Sequence, residues 1–416
     1  MDLEDAPEEA AFRAEARAWI AANAPHHLRE ELANASFGHL DLKAGDVIAE
    51  AKGWQRKKAD AGWACLAWPE KFGGRGGGQI ESVIWGQEEG VFARLFAPFM
   101  VSQGSLGPTL MAWGTEEQQE RLLPPIIMGD EIWCQLFSEP SAGSDLAGIR
   151  TRAARTGDGD WILNGQKIWT SGAQEADWGV IITRTDPAVP KHRGLTMFFV
   201  DMRSAGIEIR PIRQITDQRH VNEVFFVDVA LPDANRIGPE GGGWKVALTM
   251  LMNERITVGS HMPTGIDELW DLAANLSDGE GRALDDPAIH SRLADYAARA
   301  NGLKFTYYRG LTALSQGQEP GPEMSIMKLV AATTTQEVAQ LAVDLQGFAG
   351  TVRDAGINQD DDRFQMLLLR AAGTRIEGGT DQIMRTIIAE RVLGLPQDLR
   401  ADKNLPFNAI PTAGAA

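Results

Sequence analysis

The feature that most constrains the fold of this chain is a change of hydrophobic periodicity near residue 132 and again near residue 240. Apolar side chains recur at helical spacing before the first point and in long runs after residue 244. Between the two points, short apolar runs and the alternating segment NEVFFVDVALP are typical of strands in a sheet packed on two sides. The order along the chain is therefore helices, then strands, then helices.

This order predicts an α+β protein with three domains. We expect an all-α N-terminal domain over residues 1–131 and a β-sandwich or barrel-like middle domain over residues 132–240. Short connections between long amphipathic segments predict a C-terminal antiparallel four-helix bundle over residues 241–400. Residues 401–416 are interpreted as a tail containing Ala, Pro and Gly.

Three local patterns add detail to this prediction. In WILNGQKIW, the dipeptide Asn164-Gly165 stands between two apolar-rich runs and predicts a β-hairpin turn. In EEQQERLLPPIIMGDE, the spacing predicts a helix that ends at Pro124 and Pro125. The glycine-rich KFGGRGGGQ lacks the residue order of a phosphate-binding loop and follows no strand, so we interpret it as a plain loop.

The net charge of the chain limits the kinds of macromolecule that the protein is expected to bind. A net charge of −17 would repel phosphate, which argues against binding to nucleic acid or to an anionic membrane surface. No apolar run approaches the length that a membrane-spanning helix needs, so we expect no membrane insertion. Cys65 and Cys134 give no disulfide framework, and the acidic N-terminal segment fits neither a signal peptide nor a transit peptide. We therefore expect a cytoplasmic protein.

Common catalytic constellations are missing from the sequence. The seven histidines are scattered without metal-ligand spacing, which predicts no metal site. No GxSxG elbow occurs, and no GxGxxG follows a strand. Hydrolase and nicotinamide-dehydrogenase functions are therefore disfavoured.

Several longer motifs, in order along the chain, resemble those of the acyl-CoA dehydrogenase family. CQLFSEPSAGSDLAGIRTRA (residues 134–153) is similar to the first signature of the family, and QKIWTSGA (residues 166–173) is similar to the second. GW…WPEKFGGRG (residues 62–76), GTEEQQERLLP (residues 114–124) and GGTDQIMRTIIAERVLGLP (residues 378–396) match as well, so the resemblance covers nearly the whole chain.

The resemblance implies the family fold and an FAD flavoprotein that desaturates an acyl-CoA thioester between Cα and Cβ. A carboxylate removes the α proton and flavin N5 accepts the β hydrogen as hydride, while preorganised donors stabilise the enolate-like oxygen. The implied partners are an acyl-CoA substrate and an electron-transfer flavoprotein as electron acceptor. The implied assembly is a homotetramer or an α2β2 heterotetramer.

The resemblance assigns cofactor and substrate positions residue by residue. Residues that match the flavin-lining or flavin-contacting positions are Leu136, Phe137, Ser138, Trp169, Thr170, Ser171, Gly347, Thr380 and Gln382. Ser144 matches a residue that contacts the CoA portion of the substrate. The alternative for Ser138, Ser144 and Ser171 is that each hydroxyl only satisfies a turn in the β domain.

Two motifs depart from the family pattern. Many members carry Arg-x-x-Phe-Gly at an element that reaches the FAD pyrophosphate, whereas this chain has SDGEGRALDDPAIHSRL, where Arg282 is a loose substitute. The usual Gln-x-x-Gly-Gly is replaced by DLQGFAG, which keeps Gly347 but has Asp344 and Phe348. The adenine end of the cofactor is therefore less well specified than the ring end.

The catalytic base is the most consequential assignment. Many members place a glutamate directly before Gly-Thr, but here Gly378 takes that position and Glu377 falls one residue early. A second arrangement, known in isovaleryl- and long-chain-type enzymes, uses a glutamate before an arginine on the first helix of the bundle (helix G), and MNERITVG matches it with Glu254 and Arg255. The matched substrate-binding positions are Ser144, Arg255 and Gly378.

The residues around Glu254 support this assignment independently. Ala247, Met250, Leu251, Glu254 and Val258 share one helical stripe, so a carboxylate interrupts an apolar face. Partial burial raises the pKa of a carboxylate toward the range that suits a general base. The alternatives are that Glu254 forms a structural ion pair, that Glu377 is the base, or that the chain has no base.

Two other functions stay open at this point. The chain could be a non-catalytic structural subunit of a heterotetramer, which Gly378 and the altered adenine-end motifs favour. It could also be a related flavoprotein that acts on a non-thioester substrate. The sequence does not identify the acyl chain.

Overall fold

The computed structural model describes residues 5–34, 40, 42, 45–258, 262–277, 281–315, 325–354, 357, 362–400 and 402–411. The chain divides into two compact units. The first unit comprises Met1–Leu32, Leu42–Thr257 and Asp398–Ala416, and the second comprises Ala33–Asp41 and Val258–Gln397.

The N-terminal part is helical, as predicted. Its helices are α1 (Pro7–Asn23), α2 (Arg29–Asn34), α3 (Val47–Asp60), α4 (Gln79–Glu89), α5 (Gly107–Trp113) and α6 (Glu116–Met128). Between α4 and α5 the chain forms a 3-10 segment and a π-helical segment. Four indole rings pack together in this part, and the rings of Trp63 and Trp85 stack with centroids 4.8 Å apart.

Helix α6 contradicts the prediction that Pro124 and Pro125 end it. The helix continues to Met128, and Gly129 ends it with a left-handed φ of 76°. The residues that flank the prolines are buried in the core: Leu122, Leu123, Ile126 and Ile127. Burial of this apolar face outweighs the loss of two backbone donors, so the prediction from local propensity was wrong.

The middle part is one eight-stranded sheet. Its strands are β1 (Trp133–Leu136), β2 (Arg152–Arg155), β3 (Trp161–Ser171), β4 (Trp178–Arg184), β5 (Leu195–Asp201), β6 (Ile207–Ile212), β7 (Val221–Leu231) and β8 (Arg236–Ile237). The strand order is β6-β7-β3-β2-β4-β5-β8, and β1 pairs in parallel with β4. Strands β4 and β5 are buried along almost their whole length, as in the core layer of a domain.

The hairpin predicted at Asn164-Gly165 does not form. Both residues lie inside β3, at a shift in the pairing register with β7. Asn164 donates from Nδ2 to Asp228 Oδ1 at 3.0 Å and accepts from the Asp228 backbone N–H at 3.0 Å, so two residues 64 positions apart bridge the irregularity. Gly165 has φ of +147° and packs against Thr151. The Asn-Gly dipeptide therefore forms a β-bulge instead of a turn.

The C-terminal part is helical. Helix α7 (Gly243–Val258) belongs to the first unit up to Thr257. The second unit contains α8 (Ile266–Asn275), α9 (Pro287–Ser315), α10 (Ser325–Leu345), α11 (Arg363–Thr374) and α12 (Asp381–Ile387), which continues as a π-helical turn. Helix α10 packs against each of the other four helices of this unit.

The α+β architecture of helices, sheet and helices is therefore confirmed, whereas the domain boundaries at residues 131, 240 and 400 stay predictions. Within the described part of the chain, no helix is long and apolar enough to span a membrane.

The β-bulge at Gly165 generates a first prediction. A Cβ added at Gly165 would lie 2.7 Å from Thr151 Cα, and its backbone angle is rare for other residues. We expect Gly165→Ala to lower the free energy of unfolding by about 1–3 kcal/mol, seen as a lower thermal midpoint. Gly157→Ala is the control, because a Cβ there meets nothing within 4 Å. Equal midpoints for the two variants would contradict this account.

Candidate active site

Glu254, the predicted base, lies on α7 beside strand β1. The side chains of Ala247 and Met250 on the same stripe are fully buried, and Glu254 itself is half-buried. Gln135 donates from Nε2 to Glu254 Oε2 at 3.4 Å. Gln135 directly precedes Leu136, so the carboxylate lies next to the segment that was predicted to line the flavin. The side chain of Arg255 lies outside the described part of the chain.

The first predicted flavin segment, residues 136–138, follows the end of β1. Leu136 is fully buried and its side chain packs beside Gly179, so contact between Leu136 and a flavin stays a prediction. Phe137 is 5% exposed and belongs to the main core cluster. Ser138 is half-buried, and its carbonyl accepts from the Ile168 N–H at 2.9 Å. This bond joins the first segment to strand β3.

The second predicted flavin segment, residues 169–171, lies at another register shift in β3, between Lys167 and Thr170. Trp169 has a left-handed φ of 61°, which is unusual for a bulky residue, and 59% of its surface is exposed. Thr170 is 1% exposed, and its hydroxyl is buried without a hydrogen-bond partner in the described part of the protein. Ser171 is exposed and its backbone pairs with Val221.

This local geometry fits a planar aromatic cofactor. A strained residue that presents a large ring to solvent is usually retained for a function, because strain of this kind costs about 1–3 kcal/mol. The exposed indole of Trp169, the half-buried Ser138 and the unpaired Thr170 hydroxyl together offer a stacking surface and polar groups for such a ring. These residues fit the ring end of FAD.

A buried ion pair connects the two segments. Lys167 is fully buried, and its Nζ donates to the Phe137 carbonyl at 3.0 Å and to Glu139 Oε1 at 2.9 Å. Burial lowers the pKa of Lys167 to about 8, and the Glu139 carboxylate opposes this shift. Burial pushes the pKa of Glu139 upward, but the Lys167 charge and backbone donors hold it below its usual value. No motif in the sequence indicates a role for either residue.

Ser144 is exposed on the loop that follows residue 139. Its neighbour Asp145 accepts from Lys191 Nζ at 2.9 and 3.0 Å, and Lys191 also pairs with Asp402 at 2.6 Å. The C-terminal segment is thus attached to this loop by charge. Contact between Ser144 and the CoA portion of a substrate stays a prediction.

In the second unit, the turn before α12 has two consecutive left-handed glycines, Gly378 and Gly379, with φ of 61° and 98°. A Cβ at Gly378 would meet nothing within 4 Å, so the backbone there is sterically open. Lys328 Nζ donates to the Gly379 carbonyl at 2.5 Å, an interaction that the sequence did not indicate. Thr380 caps α12 by accepting from the Ile383 N–H at 3.2 Å.

Glu377 forms an exposed ion pair. Arg370 Nη2 donates to its two carboxylate oxygens at 2.6 and 2.7 Å, and 53% of the Glu377 side chain is exposed. Gln382 and Gly347 are exposed, and Phe348, beside Gly347, is 95% exposed. Arg282, the loose substitute at the pyrophosphate motif, is bonded to Asp285.

Family models match the chain in three consecutive segments. Residues 6–130 match "Acyl-CoA dehydrogenase, N-terminal domain", residues 134–229 match "Acyl-CoA dehydrogenase, middle domain", and residues 241–393 match "Acyl-CoA dehydrogenase, C-terminal domain". Acyl-CoA dehydrogenase IpdE1 of Mycolicibacterium smegmatis is 36% identical over 410 residues, which cover 94% of this chain and 98% of that protein.

Solved structures agree with these matches. The Tcur3481-Tcur3483 steroid ACAD is 28% identical, with a TM-score of 0.78, and the similarity covers 96% of this chain and 100% of the matched chain. The ChsE4-ChsE5 complex from Mycobacterium tuberculosis is 30% identical, with a TM-score of 0.76 and the same coverage.

The strain at Trp169 generates a second prediction. We expect Trp169→Gly to weaken FAD binding about tenfold or more, because loss of an aromatic stack costs about 1–3 kcal/mol. The thermal midpoint of the apoprotein should stay the same or rise, since glycine adopts a left-handed φ without strain. FAD titration and thermal unfolding of the apoprotein measure the two effects. Trp169→Phe, which keeps a ring, should retain most of the affinity; equal affinity for all three proteins would contradict stacking at this residue.

Proposed function

The chain belongs to the acyl-CoA dehydrogenase family, and from this premise we propose that Glu254 is the base that removes the α proton of an acyl-CoA thioester. The protein is an FAD-dependent oxidoreductase that acts on CH–CH groups and desaturates acyl-CoA. FAD supplies the acceptor for the β hydrogen when it is bound. The identity of the base and of the other site residues is our proposal.

The position of Glu254 supports this role. The carboxylate is half-buried on a helix where Ala247 and Met250 of the same stripe are fully buried, and this rigid element limits its movement. Partial removal from water makes a carboxylate a better proton acceptor. The Gln135 amide donates to one oxygen, which orients the carboxylate beside the segment proposed to line the flavin.

Glu377 is less suited to the same role. Its two oxygens are both engaged by Arg370, and the pair is exposed to water. A surface ion pair stabilises the charged carboxylate and leaves it strongly solvated, so it lacks the environment that favours proton abstraction. We therefore assign Glu377 a local structural role.

Gly378 is proposed to donate its backbone N–H to the thioester carbonyl. The absence of a side chain and the open space around this residue allow a substrate group to approach the backbone. A hydrogen bond to the carbonyl oxygen strengthens as negative charge develops there, which lowers the barrier to removal of the α proton.

The FAD contacts are proposed on the same basis. In the first unit, residues 136–138 and 169–171 line the ring, and Ser144 contacts the CoA portion of the substrate. Gly347, Thr380 and Gln382 of the second unit are proposed to contact the cofactor. Arg255, on α7 of the first unit, is proposed to bind substrate. Because the Thr380 hydroxyl oxygen already accepts from the Ile383 N–H, Thr380 retains its hydroxyl hydrogen as a donor for the cofactor.

We propose a homotetramer or an α2β2 heterotetramer, with an electron-transfer flavoprotein as electron acceptor and the cytoplasm as location. Two pairs of chains among the structural neighbours, Tcur3481-Tcur3483 and ChsE4-ChsE5, support a mixed assembly. Several large apolar side chains are exposed in the single chain, among them Phe348, Ile376, Leu393 and Leu399. Burial of such side chains is a usual driving force for subunit association. Light scattering that shows a stable FAD-bound monomer would contradict this assembly.

The substrate class is proposed to be a CoA thioester with a bulky ring-containing acyl group, because one structural neighbour is a steroid ACAD. Anaerobic mixing of the protein with straight-chain, branched, aromatic and steroid acyl-CoAs, followed by flavin bleaching, tests this proposal. Bleaching only by straight-chain thioesters would overturn the substrate class but not the reaction.

The assignment of the base generates a third prediction. Glu254→Gln keeps the size of the side chain but removes the basic carboxylate, so we expect FAD to stay bound while the rate of flavin reduction falls about 10²–10⁴-fold. Glu377→Gln is the matched control and should change this rate far less.

The reverse pattern would make Glu377 the base. If neither variant differs from the parent, neither residue is the base, and the chain is better explained as the non-catalytic subunit of a heterotetramer or as a flavoprotein with a non-thioester substrate.

A further inference from the structure

We propose that Lys167 is a positioning residue for the flavin ring, which holds residues 136–138 and 169–171 in a fixed relation to each other. The inference rests on the proposed assignment of these two segments to the ring. Lys167 itself touches neither substrate nor reacting atoms in this proposal, because it is fully buried beneath the two segments. It acts through the backbone that it fixes.

Three hydrogen bonds join residues 137–139 to Lys167 and Ile168, the two residues of β3 that precede the second segment. Lys167 Nζ donates to the Phe137 carbonyl at 3.0 Å and to Glu139 Oε1 at 2.9 Å. The next residue along β3, Ile168, donates its backbone N–H to the Ser138 carbonyl at 2.9 Å. The first segment is thus bonded to β3 immediately before the register shift that exposes Trp169.

Glu139 extends the link to the loop that follows. Its Oε2 accepts from the Arg150 backbone N–H at 2.6 Å, and its Oε1 accepts from the Thr151 N–H at 2.9 Å. The carboxylate therefore joins both ends of the loop that carries Ser144, in addition to the lysine. Removal of the Lys167 charge should affect the geometry of all these segments.

Stability alone does not explain a buried ion pair at this place. Transfer of two charges from water costs several kcal/mol per ion, and well-packed apolar residues are often as stabilising as the pair. The lowered pKa of Lys167, about 8, reflects that cost of burial. An apolar side chain, however, cannot donate to the Phe137 carbonyl, so it could not fix the backbone next to the ring.

The chain contains a matched control pair. Lys58 and Glu89 are 4% and 6% exposed, and their charged atoms are 2.9 Å apart, as in the Lys167–Glu139 pair. This second pair joins α3 and α4, where Glu89 also accepts from the indole N–H groups of Trp54 and Trp85. None of the residues assigned to the cofactor is bonded to it. Its loss should affect stability without affecting the flavin.

The experiment compares Lys167→Met, Lys58→Met and the double variant Lys167→Met/Glu139→Gln with the parent holoenzyme. For each protein, the FAD dissociation constant, the visible flavin spectrum, the thermal midpoint, and the rate constant and apparent KM for flavin reduction by acyl-CoA are measured. The spectrum and the dissociation constant need no substrate. They test this inference even if no acyl-CoA reduces the parent, an outcome that would instead contradict the proposed function.

For Lys167→Met we expect a changed flavin spectrum and weaker FAD binding. We also expect flavin reduction to be slowed about 10²-fold while KM changes less than about twofold, because a small displacement of a reacting group affects the reaction more than substrate binding. Lys58→Met should lower the thermal midpoint and leave the spectrum and the rate as in the parent. The double variant should regain thermal stability, because the unpaired buried carboxylate is gone. Its spectrum and rate should stay altered.

Three outcomes would overturn the inference. These are a parent-like spectrum and rate for Lys167→Met, equal effects of Lys58→Met and Lys167→Met on the flavin, and recovery of spectrum and rate together with stability in the double variant. If Lys167→Met does not fold, the double variant decides, since it removes both charges of the Lys167–Glu139 pair.

Discussion

Strand β3 is the element on which the rest of the first unit depends. It pairs with β2 on one side and with β7 on the other, and it shifts register with β7 twice within eleven residues. Each shift needs a residue with a positive φ, Gly165 at the first and Trp169 at the second. The first residue is a glycine, for which such a conformation is easy, but the second is a tryptophan, for which it is strained. Within β3, the non-glycine residue with a strained backbone is thus the one whose large ring is exposed.

Charged side chains buried on β3, on β4 and in the loop after β1 are consistent with this arrangement. Lys167, Glu139 and Arg184 are all nearly inaccessible, and Arg184 donates to the carbonyls of Lys191 and Ala147 at 2.5 and 2.6 Å. Burial lowers the pKa of Arg184 to about 10. Buried charged groups are unfavourable unless they are bonded, and here most bonds of the three groups go to backbone atoms of loops. The exception is Arg184 Nε, which is buried without a hydrogen-bond partner in the described part of the protein. These groups therefore hold irregular backbone in place where regular sheet pairing cannot.

The sequence predicted the regular elements well and the irregular ones poorly. Strands β4, β5, β6 and β7 and helices α7, α9 and α10 follow from periodicity, because their side chains repeat on a buried face. The dipeptide Asn164-Gly165 is compatible with a turn and with a bulge, and the bonds of Asn164 to Asp228, 64 residues away, accompany the bulge. Likewise, nothing local distinguishes Lys167 from a solvated lysine, since its partner Glu139 is 28 residues away. Gln135 was missed for the same reason, because only the fold brings it to Glu254.

The same distinction between regular and irregular backbone bears on the choice of base. Glu254 lies within a helix of 16 residues, where its direction is fixed by the buried stripe on which it stands. Glu377 lies in the turn between α11 and α12, directly before two left-handed glycines, and Arg370 holds its carboxylate at the surface.

Two further contacts fix that turn. Arg375 Nε is 2.7 Å from the nearly buried Asp381 carboxylate, and Lys328 Nζ donates to the Gly379 carbonyl. A glycine turn that is fixed by ion pairs and hydrogen bonds exposes its backbone N–H donors in fixed positions. A helix, in contrast, fixes the direction of a side-chain carboxylate. This difference supports the proposed role of Glu254 as acceptor of the α proton, and it separately supports the proposed role of the Gly378 N–H as a backbone donor.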